Sequence, residues 1–273
     1  MAPPTYKDFS KKATSILSDD YGVDKKFTVK TKAGGLGFKI ENKLLDAGAV
    51  AGAVECKYSP CKGVSLDKIK LSPKGDMSVE GKLSEALAPG LDLFYKGSLG
   101  LKGTAGLTFK DPNINATAEV DVPALSSVHM NAVVGMDDIT AGGMVKYGTK
   151  AGVTDYNIAV GYSLGKDVFA SLSTEKSMSL FKAAAFWKAC PPAAVGAEVK
   201  FEPEKAGAAP AVELGAVYAC NPATTVRFKA SSAGALAAAF AQRCGAGLTV
   251  VGAAETSAAD LARVKLGASI TLG

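Results

Sequence analysis

The chain has 273 residues, 48% of them apolar, and a formal net charge of +5, because 31 Lys and Arg stand against 26 Asp and Glu. This apolar content excludes a largely disordered chain, and 30 glycines without a three-residue period exclude a collagen-like one. No uncharged stretch reaches the roughly 18 residues that a membrane-spanning helix needs, which excludes a helical membrane protein as well.

The first segment, residues 1–24, is predicted to be an amphipathic helix followed by a linker. Tyr6, Phe9, Ala13, Ile16 and Leu17 recur at steps of three, four, three and one, which places them on one apolar stripe of a helix. A helix of about twelve residues is marginal alone in water. We therefore expect Tyr6, Phe9, Ile16 and Leu17 to dock on the rest of the protein.

The ends of this predicted helix carry start and stop signals. Thr5 with Asp8 three residues later is an acidic variant of the capping box, Pro3 and Pro4 oppose an earlier start, and Gly22 ends the helix. Two alternatives are the first helix of a globular domain and a mitochondrial presequence, since lysines lie among serines here. The acidic residues of the segment argue against a presequence.

From residue 25 to residue 273 the apolar spacing changes to a period of two. Runs such as 50–58, 101–110, 114–121 and 263–272 alternate apolar and polar residues, as strands with one face of each kind do. Turn signals such as Pro73-Lys74-Gly75 and Asn221-Pro222 separate the runs. The sequence therefore predicts about 19 strands in up-and-down antiparallel hairpins. They begin near residues 27, 38, 50, 62, 77, 91, 102, 114, 127, 140, 154, 167, 178, 193, 211, 224, 235, 246 and 261.

Alternation alone is compatible with a soluble sandwich and with a membrane barrel. In a sandwich the apolar faces pack together, whereas in a barrel they contact lipid and the polar faces line a lumen. Three features favour the barrel: many strands of spanning length, an apolar face of small and medium residues that would fill a dry core poorly, and an unbroken series of strands. Lipid forbids an open sheet edge, so the sheet has to close on itself.

An odd number of strands has a geometric consequence. The first and last strands of a closed meander run in the same direction and must pair in parallel. A barrel of this size is too wide for its side chains to fill, so its lumen is expected to hold water. We predict an all-β membrane protein in which residues 25–273 form the closed barrel and residues 1–24 place a short α-helix in the lumen.

Several short segments carry a family pattern. They include Pro3-Pro4-Thr5-Tyr6 and Lys11-Lys12-Ala13 near the N-terminus, Ala88-Pro89-Gly90-Leu91 before one strand, and Pro222-Ala223-Thr224-Thr225-Val226 in a later one. Together they resemble the voltage-dependent anion channel family, the eukaryotic porins of the mitochondrial outer membrane, with plant-type members as the nearest match. The terminal residues fit the sorting signal of such barrels, whose pattern falls on Lys265, Gly267, Ala268, Ile270 and Leu272.

The resemblance implies a voltage-gated, weakly anion-selective diffusion channel, integral to the mitochondrial outer membrane, for ATP, ADP, phosphate, organic anions and ions. The implied partners are membrane lipid, nucleotides and small anions as permeants, and further copies or other outer-membrane proteins. Nucleic acid is not expected as a primary partner, because the basic residues are scattered. No cofactor, no metal and no enzymatic activity are expected. The alternatives are a protein-import pore of the same barrel superfamily and a soluble β-rich binding protein.

Two positions depart from the family pattern. After the Pro-Gly turn the family often has a lysine linked to nucleotide contact, whereas this chain has Asp92, which argues against that contact. A membrane-facing glutamate of many relatives is replaced by Lys68 or Ile69, depending on where a phase break in residues 64–71 falls. Regulation through that glutamate is not expected here.

The polar face of the strands is predicted to line the lumen and to be net basic. Rings of such charge raise the local concentration of anions in a pore. The helix contributes Lys11 and Lys12, and the strands contribute Lys30, Lys32, Lys39, Lys43, Lys57, Lys70, Lys82, Lys96, Lys102, Lys110, Lys146, Lys200, Arg227, Lys229, Arg263 and Lys265.

Signals for catalysis or metal binding are weak. Residues 161–165 match the G-x-S-x-G nucleophile elbow, but an alternating strand follows where the elbow needs a helix. The one histidine, His129, precedes that serine and cannot build a metal site alone. The five cysteines are an odd number without a C-x-x-C motif, which argues against a disulfide framework and a zinc site.

Overall fold

The computed structural model describes residues 2–44, 50–73, 75–85, 87–98, 102–204, 207, 209–245 and 247–273. These residues form one 19-stranded sheet preceded by a 3₁₀ turn, Tyr6–Asp8, and a helix α1, Lys11–Ser18. None of the described helical segments is long and apolar enough to cross a membrane. The strands are β1 Lys25–Ala33, β2 Leu36–Leu44, β3 Val50–Cys61, β4 Val64–Leu71, β5 Met77–Ser84, β6 Leu91–Ser98, β7 Gly103–Lys110, β8 Ile114–Val122, β9 Ser127–Met136, β10 Ile139–Gly148, β11 Gly152–Leu164, β12 Val168–Glu175, β13 Leu180–Cys190, β14 Ala193–Phe201, β15 Ala211–Asn221, β16 Thr224–Ser231, β17 Ala235–Arg243, β18 Leu248–Ser257 and β19 Asp260–Leu272.

The sheet closes on itself into a barrel. Each strand pairs antiparallel with its neighbours in sequence, and β1 pairs in parallel with β19, from Lys25 opposite Ala268 to Val29 opposite Leu272. The predicted closed barrel of 19 strands is confirmed, and each strand begins within two residues of its predicted start. We call the rim at which odd-numbered strands end the C-terminal rim, because β19 ends there, and the other the opposite rim.

The N-terminal segment identifies the inner face of the barrel. Asn115 Nδ2 on β8 donates to the carbonyl oxygen of Pro3 at 3.0 Å, α1 packs on β13 to β15, and a Cβ on Gly267 of β19 would overlap Gly22. One short segment can reach such distant strands only from inside. The side chains that alternate with the inner ones therefore face outward.

The outer face is apolar and carries aromatic residues near both rims. Leu172 and Leu266 are 68% and 69% exposed there, which a soluble core would not leave uncovered. Aromatic side chains favour the two membrane interfaces of a barrel. Tyr147, Phe181 and Phe201 lie near the opposite rim, and Tyr162, Trp187 and Tyr218 near the C-terminal rim, all exposed.

The N-terminal helix is shorter than the sequence predicts. The 3₁₀ turn ends at Asp8, and Ser10 has non-helical dihedral angles (φ −97°, ψ 13°) before α1 begins at Lys11. The Ser10 carbonyl oxygen accepts from Ala13 N and Thr14 N, at 3.1 and 3.0 Å. The break falls at a residue type that favours N-cap positions over helix interiors, although the Ser10 side chain makes no capping hydrogen bond here.

Candidate functional site: the lumen and its N-terminal segment

Helix α1 docks on the barrel wall through an apolar face. Ala13, Ile16 and Leu17 are at most 4% exposed and pack on β13 to β15. Two wall glycines make the close approach feasible: a Cβ on Gly196 would lie 2.9 Å from the Ala13 carbonyl oxygen, and one on Gly215 would lie 2.8 Å from Leu17 Cδ2. We call Gly196 and Gly215 the glycine seat.

The start of the segment packs on a second part of the wall. Phe9 is 5% exposed in a cluster with Val133, Ala159 and Phe169, and its ring centroid lies 6.4 Å from that of Phe169. Tyr6 is half-buried against the same cluster. The structure thus places all four predicted docking side chains, Tyr6, Phe9, Ile16 and Leu17, on the inner wall.

The end of the segment is fastened by two basic wall residues. Arg227 Nε lies 3.1 Å from Asp20 Oδ2, and Arg227 Nη1 donates to the Ser15 carbonyl oxygen at 3.2 Å. Lys229 Nζ lies 4.8 Å from the centroid of the Tyr21 ring, which is buried against alanines of β17 and β18. Both ends of α1 are therefore held to the wall.

Three side chains of the segment have displaced pKa values. The hydrogen bond from Thr5, with help from Lys11, holds the pKa of Asp8 below its usual value. Burial raises the pKa of Tyr6 to about 12, and Glu175 and Asp155 add to the effect. Burial likewise raises the pKa of Tyr21 to about 12. Both hydroxyls are buried without a hydrogen-bond partner.

An ion-pair ladder runs across the inner face of β1 to β5. Lys26 and Lys39 lie 2.9 and 2.8 Å from the Glu41 carboxylate, and Lys39 also lies 3.1 Å from Glu55. Lys68 continues the ladder at 3.6 Å from Glu55 and 3.9 Å from Glu80. These groups neutralise one another, so this sector adds little net field.

Several further predicted basic residues have acidic partners on the wall or on the N-terminal segment. Such partners reduce their pull on a passing anion. The pairs are Lys11 with Asp8 at 3.0 Å, Lys43 with Asp24 at 2.5 Å, Lys57 with Asp67 at 3.4 Å, Lys82 with Asp92 at 2.8 Å, Lys200 with Glu198 at 2.7 Å, and Arg263 with Asp260 at 3.3 Å.

Other predicted residues have no ion-pair partner within 4 Å among the described residues. Lys12 and Lys96 instead lie over the rings of Phe169 and Phe94, at 5.5 and 4.6 Å from the centroids. The rest of this set is Lys30, Lys32, Lys70, Lys110, Lys146, Lys229 and Lys265. Lys102 lies just before β7, outside the strands, and its carbonyl oxygen accepts from Ser98 N.

Inward basic residues that escaped the sequence reasoning include Lys26, Lys68 and Lys182. Lys182 lies 2.9 Å from Glu198, which is itself 4% exposed between two lysines. It was missed because β13 is apolar on both faces, since α1 covers part of its inner face. Phe181 and Trp187 are exposed and face outward, so the alternate position Lys182 faces inward. The alternation of these two aromatic residues with Lys182 is the signal that could have identified Lys182.

A β-bulge settles the phase break in β4. The pairing with β5 shifts between Leu66 and Lys68, so that Lys68 contacts lumenal carboxylates while Ile69 pairs with the outward Val79. Ile69 is thus the residue on the lipid side.

Asp92, the other departure from the family pattern, is 7% exposed and lines a cavity of about 280 Å³ with Lys7, Lys96 and Lys110.

The predicted sorting signal lies in β19, beside the closure of the barrel. Gly267 has the Gly22 carbonyl group packed directly against it, where a Cβ would overlap. Ala268 begins the parallel pairing with β1, Ile270 and Leu272 continue it on the outward side, and Lys265 faces Glu255. The G-x-S-x-G residues 161–164 end β11 and Gly165 begins the turn before β12, where the nucleophile elbow would need a helix.

Known proteins share both the sequence pattern and the fold. A sequence profile described as "Eukaryotic porin" matches residues 2–267. A mitochondrial outer membrane protein porin of Neurospora crassa is 25% identical over 99% of both chains, and one of Candida albicans is 28% identical over 99% of both. Human "non-selective voltage-gated ion channel VDAC2" is 30% identical over 60% of this chain and 59% of its own length.

Among solved structures, a triple mutant of the Rhodopseudomonas blastica porin matches with a TM-score of 0.51. The match covers 82% of this chain and 90% of that chain, at 12% identity, and shows likeness of fold alone. The likeness to plant-type members in particular stays a prediction. Because the eukaryotic porin profile spans nearly all residues and the fungal proteins align from end to end, this chain belongs to the eukaryotic porin family.

Proposed function

We propose that this chain is a voltage-gated, weakly anion-selective diffusion channel of the mitochondrial outer membrane, passing ATP, ADP, phosphate, organic anions and ions. The observation that carries the proposal is a closed barrel with an apolar outer face and a charged inner face, beside which the N-terminal segment lies. The names of the fungal and human relatives support the location and the voltage gating.

Selectivity in this proposal comes from lumenal lysines without acidic partners. The unpaired set includes Lys30 and Lys32 on β1, Lys229 on β16 and Lys265 on β19. A water-filled lumen screens charge over about 8 Å at physiological ionic strength, so the preference for anions is modest and decreases with salt. Paired residues such as Lys39 contribute less.

Voltage gating needs charge that moves in the membrane field. One elementary charge moved across 100 mV changes the free energy by about 2.3 kcal/mol. We propose that residues 1–24 act as one functional unit and residues 25–273 as another, with Lys11 and Lys12 among the charges that sense anions. The same proposal includes a sorting signal formed by Lys265, Gly267, Ala268, Ile270 and Leu272. It also includes partners beyond lipid and permeants, namely further copies of the chain or other outer-membrane proteins.

Recording in planar bilayers under a salt gradient tests the function. We expect large conductance, closure at higher voltage and a reversal potential on the anion side that shrinks as salt rises. The triple variant Lys30→Gln, Lys229→Gln, Lys265→Gln should shift the reversal potential toward the value of a cation-selective channel. Lys150→Gln, in the turn after β10, is the matched control and should not. A silent or cation-selective wild-type protein would contradict the proposal.

A further inference from the structure

Four of the five cysteines lie at one rim of the barrel. Cys61 and Cys190 are the last residues of β3 and β13, Cys220 is the last but one of β15, and Cys244 directly follows β17. Odd-numbered strands run in the same direction, because neighbours are antiparallel. All four cysteines are therefore at the C-terminal rim, and we call them the thiol rim. Cys56, within β3, is the exception.

The thiol rim is open to reagents. All four cysteines are exposed and free, whereas Cys56 is half-buried. Cys190, Cys220 and Cys244 follow one another on alternate strands. Since neighbouring strands lie about 4.8 Å apart, these cysteines are separated by roughly 10 Å. A disulfide needs Cα atoms within about 7 Å, so this backbone does not bring them into bonding range with one another.

The charged residues closest in sequence to the four cysteines are basic. Lys62 follows Cys61, Arg243 precedes Cys244, and no acidic residue lies within three positions of any of the four cysteines in sequence. The acidic residues of this rim lie in other turns, at Glu85, Asp111, Asp137, Asp138 and Asp167. Asp167 lies beside the end of β13, since its carbonyl oxygen accepts from Lys188 N. Neighbouring basic groups attract anionic reagents. Exposure and charge thus point to the same kind of reagent.

We propose that the thiol rim is a site of reversible modification by a small anionic disulfide of the glutathione disulfide class. The thiolate sulfur of a rim cysteine attacks one sulfur of the reagent, so that a mixed disulfide forms while the reagent's S–S bond breaks. The leaving thiolate takes the electron pair and a proton from water, which replaces the proton that the cysteine released. The cysteine sulfur is oxidised and the leaving sulfur is reduced.

The modification changes the charge at one mouth of the pore. A glutathionyl group carries two carboxylates and one ammonium group, so each adduct adds one net negative charge. This consequence rests on the proposed function: adducts at the rim oppose the lumenal lysines and reduce the preference for anions, and a thiol reductant restores it.

Intact mass spectrometry of the purified full chain in lipid nanodiscs, with glutathione disulfide as the probe, tests the chemistry without channel activity. We expect up to four adducts on the wild type, first at Cys61 and Cys244, which adjoin basic residues, and later at Cys220. The matched variant Cys61→Ser, Cys190→Ser, Cys220→Ser, Cys244→Ser keeps Cys56 and should stay unmodified. Modification of Cys56 as fast as the others, or no adducts on the wild type, would overturn the proposal.

Bilayer recording tests two claims: that the four cysteines share one rim, and that their modification reduces the preference for anions. A maleimide carried on a polymer too large for the pore should alter each inserted channel from one chamber only, and should not alter the quadruple serine variant. Response from both chambers would refute a single thiol rim. Glutathione disulfide should shift the wild-type reversal potential toward cations and leave the variant unchanged. Adducts without that shift would refute the effect on selectivity while the modification site stands.

Discussion

At the scale of single residues, Arg227 joins the N-terminal segment to the wall through two polar contacts. Its guanidinium contacts both Asp20 and the Ser15 carbonyl oxygen, and its side chain is only 19% exposed. Hydrogen bonds of charged groups contribute about 1.5–3 kcal/mol, and partial exposure lowers the figure. The N-terminal segment should therefore open more often when this side chain is replaced.

We expect Arg227→Gln to weaken docking of the segment by about 1–2 kcal/mol, since both contacts lose their charge. Because 1.4 kcal/mol is a factor of ten, limited proteolysis within residues 2–24 should be roughly tenfold faster. Lys32→Gln removes a lumenal charge that has no ion-pair partner within the described part of the chain, and it serves as the control. Equal cleavage rates for the two variants would count against the role of Arg227.

The raised pKa values of Tyr6 and Tyr21 predict that the N-terminal segment detaches more readily from the wall at alkaline pH. Burial raises the pKa of both hydroxyls from 10.0 to about 12, so the folded state favours the neutral form. The docking energy is therefore complete below pH 10 and decreases as the pH rises from 10 through about 12. We expect the anisotropy of a fluorophore at Ala2→Cys, in a chain whose other cysteines are serine, to fall in that range.

The double variant Tyr6→Phe, Tyr21→Phe is the control for this pH dependence. It keeps the rings and removes two buried hydroxyls that have no hydrogen-bond partner. The anisotropy should then stay constant up to pH 12. A decrease of the same size in the double variant would show that other groups control the loosening.

At the scale of elements, the glycine seat determines how closely α1 approaches β14 and β15. A Cβ at Gly196 would lie 3.1 Å from Ile16 Cβ and 2.9 Å from the Ala13 carbonyl oxygen, and neither atom belongs to a flexible end of a side chain. Overpacking of this kind costs about 1–3 kcal/mol.

We therefore expect Gly196→Ala to displace α1 while the barrel stays folded. The N-terminal fluorophore should become more mobile, and the far-ultraviolet signal of the strands should persist. Gly252→Ala on β18 is the matched control, because a Cβ there meets nothing within 4 Å. Unchanged mobility for Gly196→Ala would mean that the seat is not a tight contact.

The strands were predictable from sequence because turn residues and a period of two mark each of them. The exceptions have local causes. Asp67 and Lys68 are consecutive polar residues at a bulge, so no strict alternation could assign both to the lumen. The helix begins only at Lys11, after non-helical dihedral angles at Ser10, which the apolar stripe alone does not reveal.

The candidate site was less predictable than the fold. Alternation indicates on which face of the sheet a lysine lies. Its acidic partner depends on the register between neighbouring strands, as for Lys39 with Glu55 across β2 and β3. Sequence alone therefore did not separate paired lysines from unpaired ones. The roles of both groups in selectivity stay predictions.

At the scale of the whole molecule, everything depends on which face meets water. The N-terminal segment, the ion pairs and the polar side chains share one face, and the exposed apolar side chains share the other. A barrel of this width encloses water only if that first face lines a continuous lumen.

Neighbouring cysteines on β8 test this most directly, in a chain whose native cysteines are replaced by serine and which is embedded in lipid. Thr117 pairs with Asn131 on the inner side, and Ala118 pairs with the outward Met130. We predict that Thr117→Cys reacts rapidly with a small charged maleimide from water, while Ala118→Cys stays unmodified. Equal reactivity, or the reverse order, would contradict a water-filled lumen lined by the polar face.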